Sequence, residues 1–444
     1  MINSFPGEPK GGSSAGTGHD LFRSELPSLR SVQAWVTTNK SKILAIPGLR
    51  PALGVALGMI IAGCGASGGR PAASATDTEP TNAPPVHSVP RTVITPGGAT
   101  DVPEMYRAGR RLFDGGDASK AAKQFDQVYS VDPNGELAAD ALYLSAQAHE
   151  QAGDRQTALQ RFEQLARRFP KHSLGREALI RAMRLLVFME QWQRAEALAD
   201  QVLSQKTQLT PREEIVALST KAFGQLSRSE VDAASFNVEK ARNVIDLHRL
   251  DAAGTIPRDL AQTYYALGEI RRLRAERIKF VPVPANFGVV LEERCQLLLD
   301  SQRAYSDTMR AYDAHWSAMA GYRVGELYKR LHDDLMAVPK PAGADTEARQ
   351  QLFEGAMRLR YSVLLDKALA MMEHTLSMAK RTGERSEWVL RAERSKRDLE
   401  QARQAENAAI DRLPYSRAQL RQALDDLAAK SKAAAVASEQ SGRK

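Results

Sequence analysis

A repeat with a period of 37 residues is the feature that most constrains the fold of this 444-residue chain. Residues 104–133 and 140–170 align at that offset. The matched pairs are Gly116 with Gly153, Asp117 with Asp154, Ala121 with Ala158, Phe125 with Phe162, Val128 with Leu165, and Pro133 with Pro170. A weaker third copy follows at the same offset, with Leu179, Ala182, Ala195 and Val202. Such a period predicts stacked structural units that bury their apolar faces against one another.

The pattern inside each copy predicts two amphipathic helices joined by a tight Gly-Asp turn. Small residues stand where the two helices must approach, and a proline stops the second helix. Alanine, leucine, arginine, glutamate and glutamine dominate the chain after residue 100, and these residues favour helix over strand. The third copy departs from the pattern at Glu190-Gln191, at Ala199 in place of the aromatic residue, and at Thr207 in place of the proline. We expect its second helix to pack more loosely.

Residues 101–206 resemble the tetratricopeptide repeat (TPR). The large residue of the family's first helix corresponds to Met105, Leu142 and Leu179, and the small residue at the helix crossing corresponds to Ala121, Ala158 and Ala195. The period and the phrase that ends in Phe169-Pro170 look most like periplasmic outer-membrane TPR lipoproteins. Examples are the lipoprotein of the β-barrel assembly machine and the TPR coordinator of the Tol-Pal system. The resemblance implies an all-α, TPR-type helical-hairpin solenoid over residues 101–250, followed by a divergent helical C-terminal domain.

Helical patterns continue beyond residue 206, where the repeat degrades. A fourth hairpin is predicted with helices at 212–226 and 230–247. Two proline-rich breaks, Phe280-Val-Pro-Val-Pro284 and Pro339-Lys-Pro341, separate the helices that follow. Those helices are predicted from residue 289, over 346–380, over 386–413, and from Ser416, which forms a capping box with Gln419. We expect a divergent helical domain over 256–400 and a polar tail, helical or disordered, over 401–444.

A targeting segment precedes the repeats. Basic residues from Lys40 to Arg50 lead into 13 uncharged residues that end at Cys64. This stretch is too short for a spanning helix but fits the core of a signal peptide. Ile61-Ala62-Gly63-Cys64 resembles the bacterial lipobox, which implies cleavage before Cys64 and attachment of lipid to its sulfur. Residues 1–63 are then a leader that ends in the signal peptide, and residues 64–100 are a lipidated N-terminus and disordered tether rich in proline, alanine, serine and glycine. Glycine rather than aspartate after the cysteine favours the outer membrane, facing the periplasm.

Charge and motifs argue against several function classes. A net charge of +8, spread over the chain, is not typical of nucleic-acid binding. The chain has no HExxH motif and no phosphate-binding loop, and its two GxSxG sequences lie in low-complexity stretches. We expect His315, His332 and His374 to be surface residues in weak ion pairs, and Cys295 to be a buried, inert thiol. The sequence therefore predicts no catalytic residue, no metal site and no cofactor.

The resemblance also implies where a partner would bind, because the family's groove is lined by the first helices. The corresponding positions are Tyr106, Arg110 and Phe113, then Tyr143, Gln147 and Glu150, then Ile180, Arg184 and Val187. Tyrosine and arginine are enriched at binding hot spots. Tyr106, Arg110, Tyr143, Gln147 and Arg184 are therefore the predicted partner-binding residues. The alternative is that these positions contact a neighbouring repeat or the C-terminal domain.

Three functions remain open on the sequence alone. The first is a lipid-anchored scaffold that binds other proteins or peptides in an envelope-associated complex, which serves outer-membrane assembly, envelope maintenance, or motility or secretion. Its membrane contact is the N-terminal lipid, and it binds no nucleic acid and no small-molecule substrate. The second is a cytoplasmic TPR adaptor, if the leader is not cleaved. The third is an enzyme with a site in residues 256–400.

Overall fold

The computed structural model describes residues 101–204, 209–251, 257–341 and 344–425. Within these ranges all regular structure is helical, and no strand occurs. The helices are α1 Val102–Asp114, α2 Ala118–Val131, α3 Ala138–Gln151, α4 Arg155–Arg168, α5 Ser173–Phe188, α6 Trp192–Leu203, α7 Pro211–Ser227, α8 Val231–Leu247, α9 Ala261–Arg277, α10 Phe287–Met309, α11 Ala314–Met336, α12 Glu347–Thr382 and α13 Glu387–Asp411. A short 3-10 turn at Arg258–Leu260 precedes α9, and a further helix occupies residues 417–425. The predicted all-α fold of TPR-type hairpins followed by a divergent helical region is confirmed.

Packing divides the described chain into two compact units that meet in sequence between Leu185 and Leu186. We call residues 101–185 the N-terminal unit and residues 186–425 the C-terminal unit, and we describe each separately. The domain limits predicted from sequence are not tested by this division and stay predictions.

One turn conformation joins the two helices of each repeat. Gly116 and Gly153 have φ angles of 81° and 87°, in the left-handed region that glycine adopts at little cost. In both turns an aspartate amide donates back to the preceding helix, from Asp117 to Leu112 and from Asp154 to His149, at 2.9 Å. The same aspartates cap the following helices, because their carboxylates accept backbone N–H groups of the first turn. The Gly-Asp pair therefore has two separate tasks.

The third copy makes the same turn without glycine. Glu190, 37 residues after Gly153, has a φ of 57°, and the amide of Gln191 donates to Leu186 at 2.9 Å. Ala195 and Ala199 of α6 are fully buried. The looser packing expected for this helix is therefore not observed.

Small residues lie where helices of the repeat cross, as predicted. Ala121 and Ala158 are fully buried, and so are the aromatic residues Phe125 and Phe162. A Cβ atom at Gly109 would lie 2.8 Å from Phe125 Cε1, so the α1–α2 crossing tolerates no larger residue without repacking. The 37-residue register thus describes the core of the N-terminal unit correctly.

The C-terminal unit continues with hairpins of longer helices. α7 and α8 form the predicted fourth hairpin, and a capping box between Thr210 and Glu213 begins α7. The pairs α9–α10 and α11–α12 follow, and α13 packs against both α11 and α12. Ser416 and Gln419 form the predicted capping box of the last helix, with reciprocal bonds of 2.8 and 3.2 Å. Part of the predicted polar tail is packed, since Ile410 and Leu420 are buried.

Several predicted segments lie outside the described residues. These are the leader over 1–63, the lipidated Cys64 with the tether up to residue 100, and residues 426–444. Among the helices that the structure does describe, none is both long and apolar enough to cross a bilayer.

Candidate protein-binding surface

The predicted partner-binding residues all lie on first helices of the three repeats. Tyr106 and Arg110 belong to α1, Tyr143 and Gln147 to α3, and Arg184 to α5. Residues four apart share one face of a helix, so each helix presents its predicted residues together. We call these five residues the first-helix face. Arg110 and Arg184 are exposed, Tyr106 and Gln147 are half-buried, and Tyr143 is 9% exposed.

Tyr143 links α3 to α5 through a polar network. Its hydroxyl donates to the carboxylate of Glu177, and the guanidinium of Arg181 lies 5.5 Å from the centre of its ring. Arg181 also forms ion pairs with Glu177 at 3.4 Å and with Glu150 at 3.8 Å. Burial and the bond to Glu177 raise the pKa of Tyr143 to about 12, so its hydroxyl stays protonated and donates. Tyr143 and Glu150, both predicted groove residues, are therefore held in fixed positions.

Tyr106 and Phe113 of α1 contribute largely to the core. Their rings lie 5.7 and 6.5 Å from the ring of Phe125 in edge-on arrangements. Burial, with Asp140 of α3 nearby, raises the pKa of Tyr106. Arg110, one turn further along α1, stays exposed. On α1 the arginine is thus the accessible member of the predicted pair.

The predicted groove positions on α5 are likewise of two kinds, buried and exposed. Ile180 and Val187 are buried, so they serve packing and are not presented to a partner. Arg184 lies between them in sequence and is exposed. Arg181, which the sequence analysis did not select, lies 5.5 Å from the ring centre of Tyr143.

Asp126 of α2 forms a polar node that the sequence analysis missed. Ser145 Oγ donates to it at 2.6 Å, Arg161 Nε donates to it at 2.8 Å, and His149 Nε2 lies 3.1 Å from its carboxylate. Burial alone would raise the pKa of Asp126, but these hydrogen bonds hold it below its usual value. The node joins α2, α3 and α4, so it fixes one repeat on the next. Its partners are 19 to 35 residues away in sequence, and no local pattern connects them.

The C-terminal unit contains a buried ion cluster centred on Glu269 of α9. Its carboxylate accepts bonds from Arg272 at 2.8 Å and from the hydroxyl of Tyr305 at 2.5 Å, and Arg323 Nε lies 3.0 Å away. Burial opposes ionisation, but Arg323 and Arg272 outweigh it and lower the pKa of Glu269 to about 2. The carboxylate is therefore charged at any physiological pH. It ties α9 to α10 and α11.

Aromatic rings form a continuous cluster beside this carboxylate. Trp316 stacks on Phe223 with ring centres 5.8 Å apart, and Trp192 lies 5.5 Å from the same ring. Tyr265 packs against Phe223, Trp316 and Tyr305. Trp192 and Trp316 are only partly buried. The region predicted to be divergent is thus held by aromatic packing.

The start of α13 is tied to the turn that precedes α6, within the C-terminal unit. Arg391 pairs with Glu190 at 3.2 Å and lies 4.3 Å from the ring centre of Trp388. Nearby, His315 stacks on Phe188 at 4.0 Å, and its Nδ1 lies 3.5 Å from Glu384. Glu190 therefore has a tertiary partner 201 residues away.

The histidine prediction is wrong for His332, which is 5% exposed instead of lying at the surface. Its Nε2 lies 3.9 Å from Glu406 of α13, because α13 covers this part of α11.

Cys295 is buried as predicted, and burial raises the pKa of its thiol to about 12. In the described ranges, no three His, Cys, Asp or Glu residues are grouped closely enough to hold a metal ion.

Two solved TPR structures are among those similar to this chain. A tetratricopeptide repeat protein from Parabacteroides merdae ATCC 43184 aligns at 13% identity, covers 66% of this chain and 98% of its own, and gives a TM-score of 0.36. The P58(IPK) TPR domain aligns at 15% identity, covers 74% of this chain and 97% of its own, and gives a TM-score of 0.24. No protein-family model matches the chain, and no curated protein matches it at a significant level. The helices, turns and core described above, and not these distant likenesses, establish the all-α hairpin fold.

Proposed function

We propose that this chain is a lipid-anchored TPR scaffold that binds other proteins in an envelope-associated complex. The observation that carries the proposal is the first-helix face, where exposed Arg110 and Arg184 accompany half-buried Tyr106 and Gln147. Arginine and tyrosine dominate the energetics of protein interfaces. Repeats of this kind bind through an extended surface built from successive units. A binding role therefore suits the fold better than a catalytic one.

Fixed side chains support the same conclusion. The network of Tyr143, Glu177 and Arg181 orders two long side chains before any partner arrives. Ordering side chains on binding costs about 0.5–1.5 kcal/mol for each. A surface that is already ordered avoids much of that cost, so a modest contact area is enough for useful affinity.

Anchoring through Cys64 places this scaffold at the outer membrane, facing the periplasm, in our proposal. The support is the lipobox-like Ile61-Ala62-Gly63-Cys64 behind an apolar stretch. A lipid with two or more acyl chains anchors stably, whereas one chain alone binds marginally. The partners would then be other envelope proteins or peptides.

The two cysteines give a matched test of the anchor. Cys64→Ala should abolish labelling by radioactive palmitate and release the protein from the membrane fraction. Cys295→Ala, at the buried thiol, should label and fractionate like the unmodified chain. Retention of Cys64→Ala in membranes would show that the lipobox interpretation is wrong.

Charge reversal tests the binding face. A chain carrying Arg110→Glu and Arg184→Glu should recover fewer proteins when it is purified from crosslinked envelopes. The control carries Lys123→Glu and Arg167→Glu on the second helices α2 and α4, where both residues are exposed. Circular dichroism checks that both variants fold. Equal recovery from the two variants would contradict binding through the first-helix face.

A further inference from the structure

Several buried hydrogen-bond donors on α10 and α12 have no acceptor in the part of the chain that the structure describes. Tyr361 is 3% exposed, and its buried hydroxyl has no hydrogen-bond partner among the residues described. The same holds for Nε and Nη2 of Arg360 and for Nε of Arg294. Buried donors are almost always paired in folded proteins, and each one left unpaired costs about 1–3 kcal/mol. Several together indicate that an acceptor from outside the chain belongs there.

The donors of Arg360 and Tyr361 lie side by side on α12, and those of Arg294 lie on α10 next to Cys295 in sequence. The guanidinium of Arg360 lies 5.4 Å from the ring centre of Tyr361, and both groups are close enough to Cys295 to interact with it electrostatically. The ammonium of Lys367, about two turns further along α12, lies 5.2 Å from the ring centre of Tyr328. The residues of this group therefore come from three helices, α10, α11 and α12.

This group has an excess of positive charge. Arg294 is paired with Asp334 at 3.0 Å. Arg360 has no acidic partner in the described part of the chain, and two of its donor atoms are buried. Taking a cation out of water without a counter-charge is costly. An anion is the ligand that would offset this cost.

The geometry of the donors indicates which kind of anion would bind to them. Nε and Nη2 form one edge of the guanidinium, and their parallel N–H groups match the two oxygens of a carboxylate. The buried rings of Tyr328 and Tyr361 and the protonated thiol of Cys295 make the surroundings weakly polar, which suits a hydrocarbon group and disfavours a doubly charged phosphate. We propose that Arg360 and Tyr361 bind a small organic carboxylate between α10, α11 and α12. Arg360 is partly exposed, which gives a ligand access to it from solvent.

Titration calorimetry of the full chain with sodium butyrate tests this site, at constant ionic strength maintained with chloride. Butyrate should bind saturably at one site. Arg360→Met should abolish the binding, and Tyr361→Phe, which removes one oxygen and one donor, should weaken it about 3- to 10-fold. Arg381→Met is the control, because Arg381 is an exposed arginine on the same helix, and it should leave the affinity unchanged.

Three results would overturn the proposal. The first is no butyrate binding by the unmodified chain, which would mean that water satisfies these donors. The second is equal binding of inorganic phosphate, which would mean that the site does not select a carboxylate. The third is unchanged affinity in Tyr361→Phe, the variant that decides the matter if Arg360→Met does not fold. None of these outcomes depends on the lipid anchor or on the protein-binding face.

Discussion

The turns inside the hairpins α1–α2, α3–α4, α5–α6 and α7–α8 each contain a left-handed residue, and only two of these four turns use glycine. Gly116 and Gly153 have φ angles of 81° and 87°, whereas Glu190 and Ser229 have 57° and 63°. For a residue with a Cβ atom this conformation costs about 1–2 kcal/mol. Packing of the flanking helices therefore imposes the turn even where the local sequence disfavours it.

Exchanging residues at two of these turns should change stability in opposite directions. Gly153→Ala should lower the free energy of unfolding by about 1 kcal/mol, because the added methyl group meets no atom within 4 Å and only the backbone conformation is penalised. Ser229→Gly should raise that free energy by about 0.5–1 kcal/mol for the converse reason. Urea denaturation of both variants measures the difference. A loss in both would show that side-chain contacts, not backbone conformation, determine these turns.

Residue-level prediction from the sequence succeeded where the cause was local. The Gly-Asp turns and the capping box of Ser416 depend on neighbours within a few residues, and both are found. His332 was wrongly predicted to lie at the surface, because its burial depends on α13. The residue of α13 that lies near it, Glu406, is 74 residues further along the chain. Asp126 was missed for the same reason, since its bond partners come from two later helices.

At the scale of helices, the position of alanine in each repeat determines how closely the pairs pack. Ala121, Ala158 and Ala195 are all fully buried at corresponding positions, 37 residues apart. The period and the amphipathic pattern were sufficient to predict these crossings. The period no longer applies to α9–α12, where helices reach 36 residues. There Gly268 allows α9 and α10 to approach closely, since a Cβ atom would lie 2.6 Å from Tyr305 Cε1. No sequence repeat predicted this helix pair.

Overfilling one crossing tests the register directly. Ala158→Trp should lower stability by about 1–3 kcal/mol or more, because the site is fully buried and has no room for an indole. Ser130→Trp, at an exposed position of α2, should change stability by no more than about 0.5 kcal/mol. Thermal melts and limited proteolysis compare the two variants. Equal melting temperatures would mean that the 37-residue register is misplaced.

The ion cluster that joins α9, α10 and α11 predicts a specific sensitivity to acid. The pKa of Glu269 is about 2 in the folded chain, against a usual value of 4.5, so the unfolded chain takes up the proton first as the pH falls. Its contribution is complete above pH 4.5 and is lost between pH 4.5 and 2. From pH 5 to pH 3 the loss should be about 2 kcal/mol.

Urea midpoints at pH 5 and pH 3 measure this loss. Glu269→Gln should be less stable at pH 7, because two partly buried arginines lose their partner, but it should lack most of the extra decline at pH 3. Glu393→Gln, at an exposed position of α13, should retain that decline. An identical acid slope in the Glu269→Gln variant would show that this carboxylate is not a source of the sensitivity.

For the molecule as a whole, the proposed roles follow the order of the chain. The N-terminal cysteine would anchor it, residues 65–100 would separate the anchor from the folded part, and the repeats would present the binding face. Aromatic and ionic contacts between residues distant in sequence join helices of the C-terminal unit. Sequence patterns predicted the helices of this unit but not those contacts, because no period relates the residues that meet.

Site-specific photocrosslinking tests whether this chain binds proteins through its first helices. A photoreactive phenylalanine replaces Gln147 on α3 in one strain and Gln160, an exposed glutamine on the second helix α4, in another. Irradiation of living cells should give discrete higher-mass adducts from position 147 and few or none from position 160. Adducts at position 160 alone, or equal adducts at both positions, would contradict binding through the first helices.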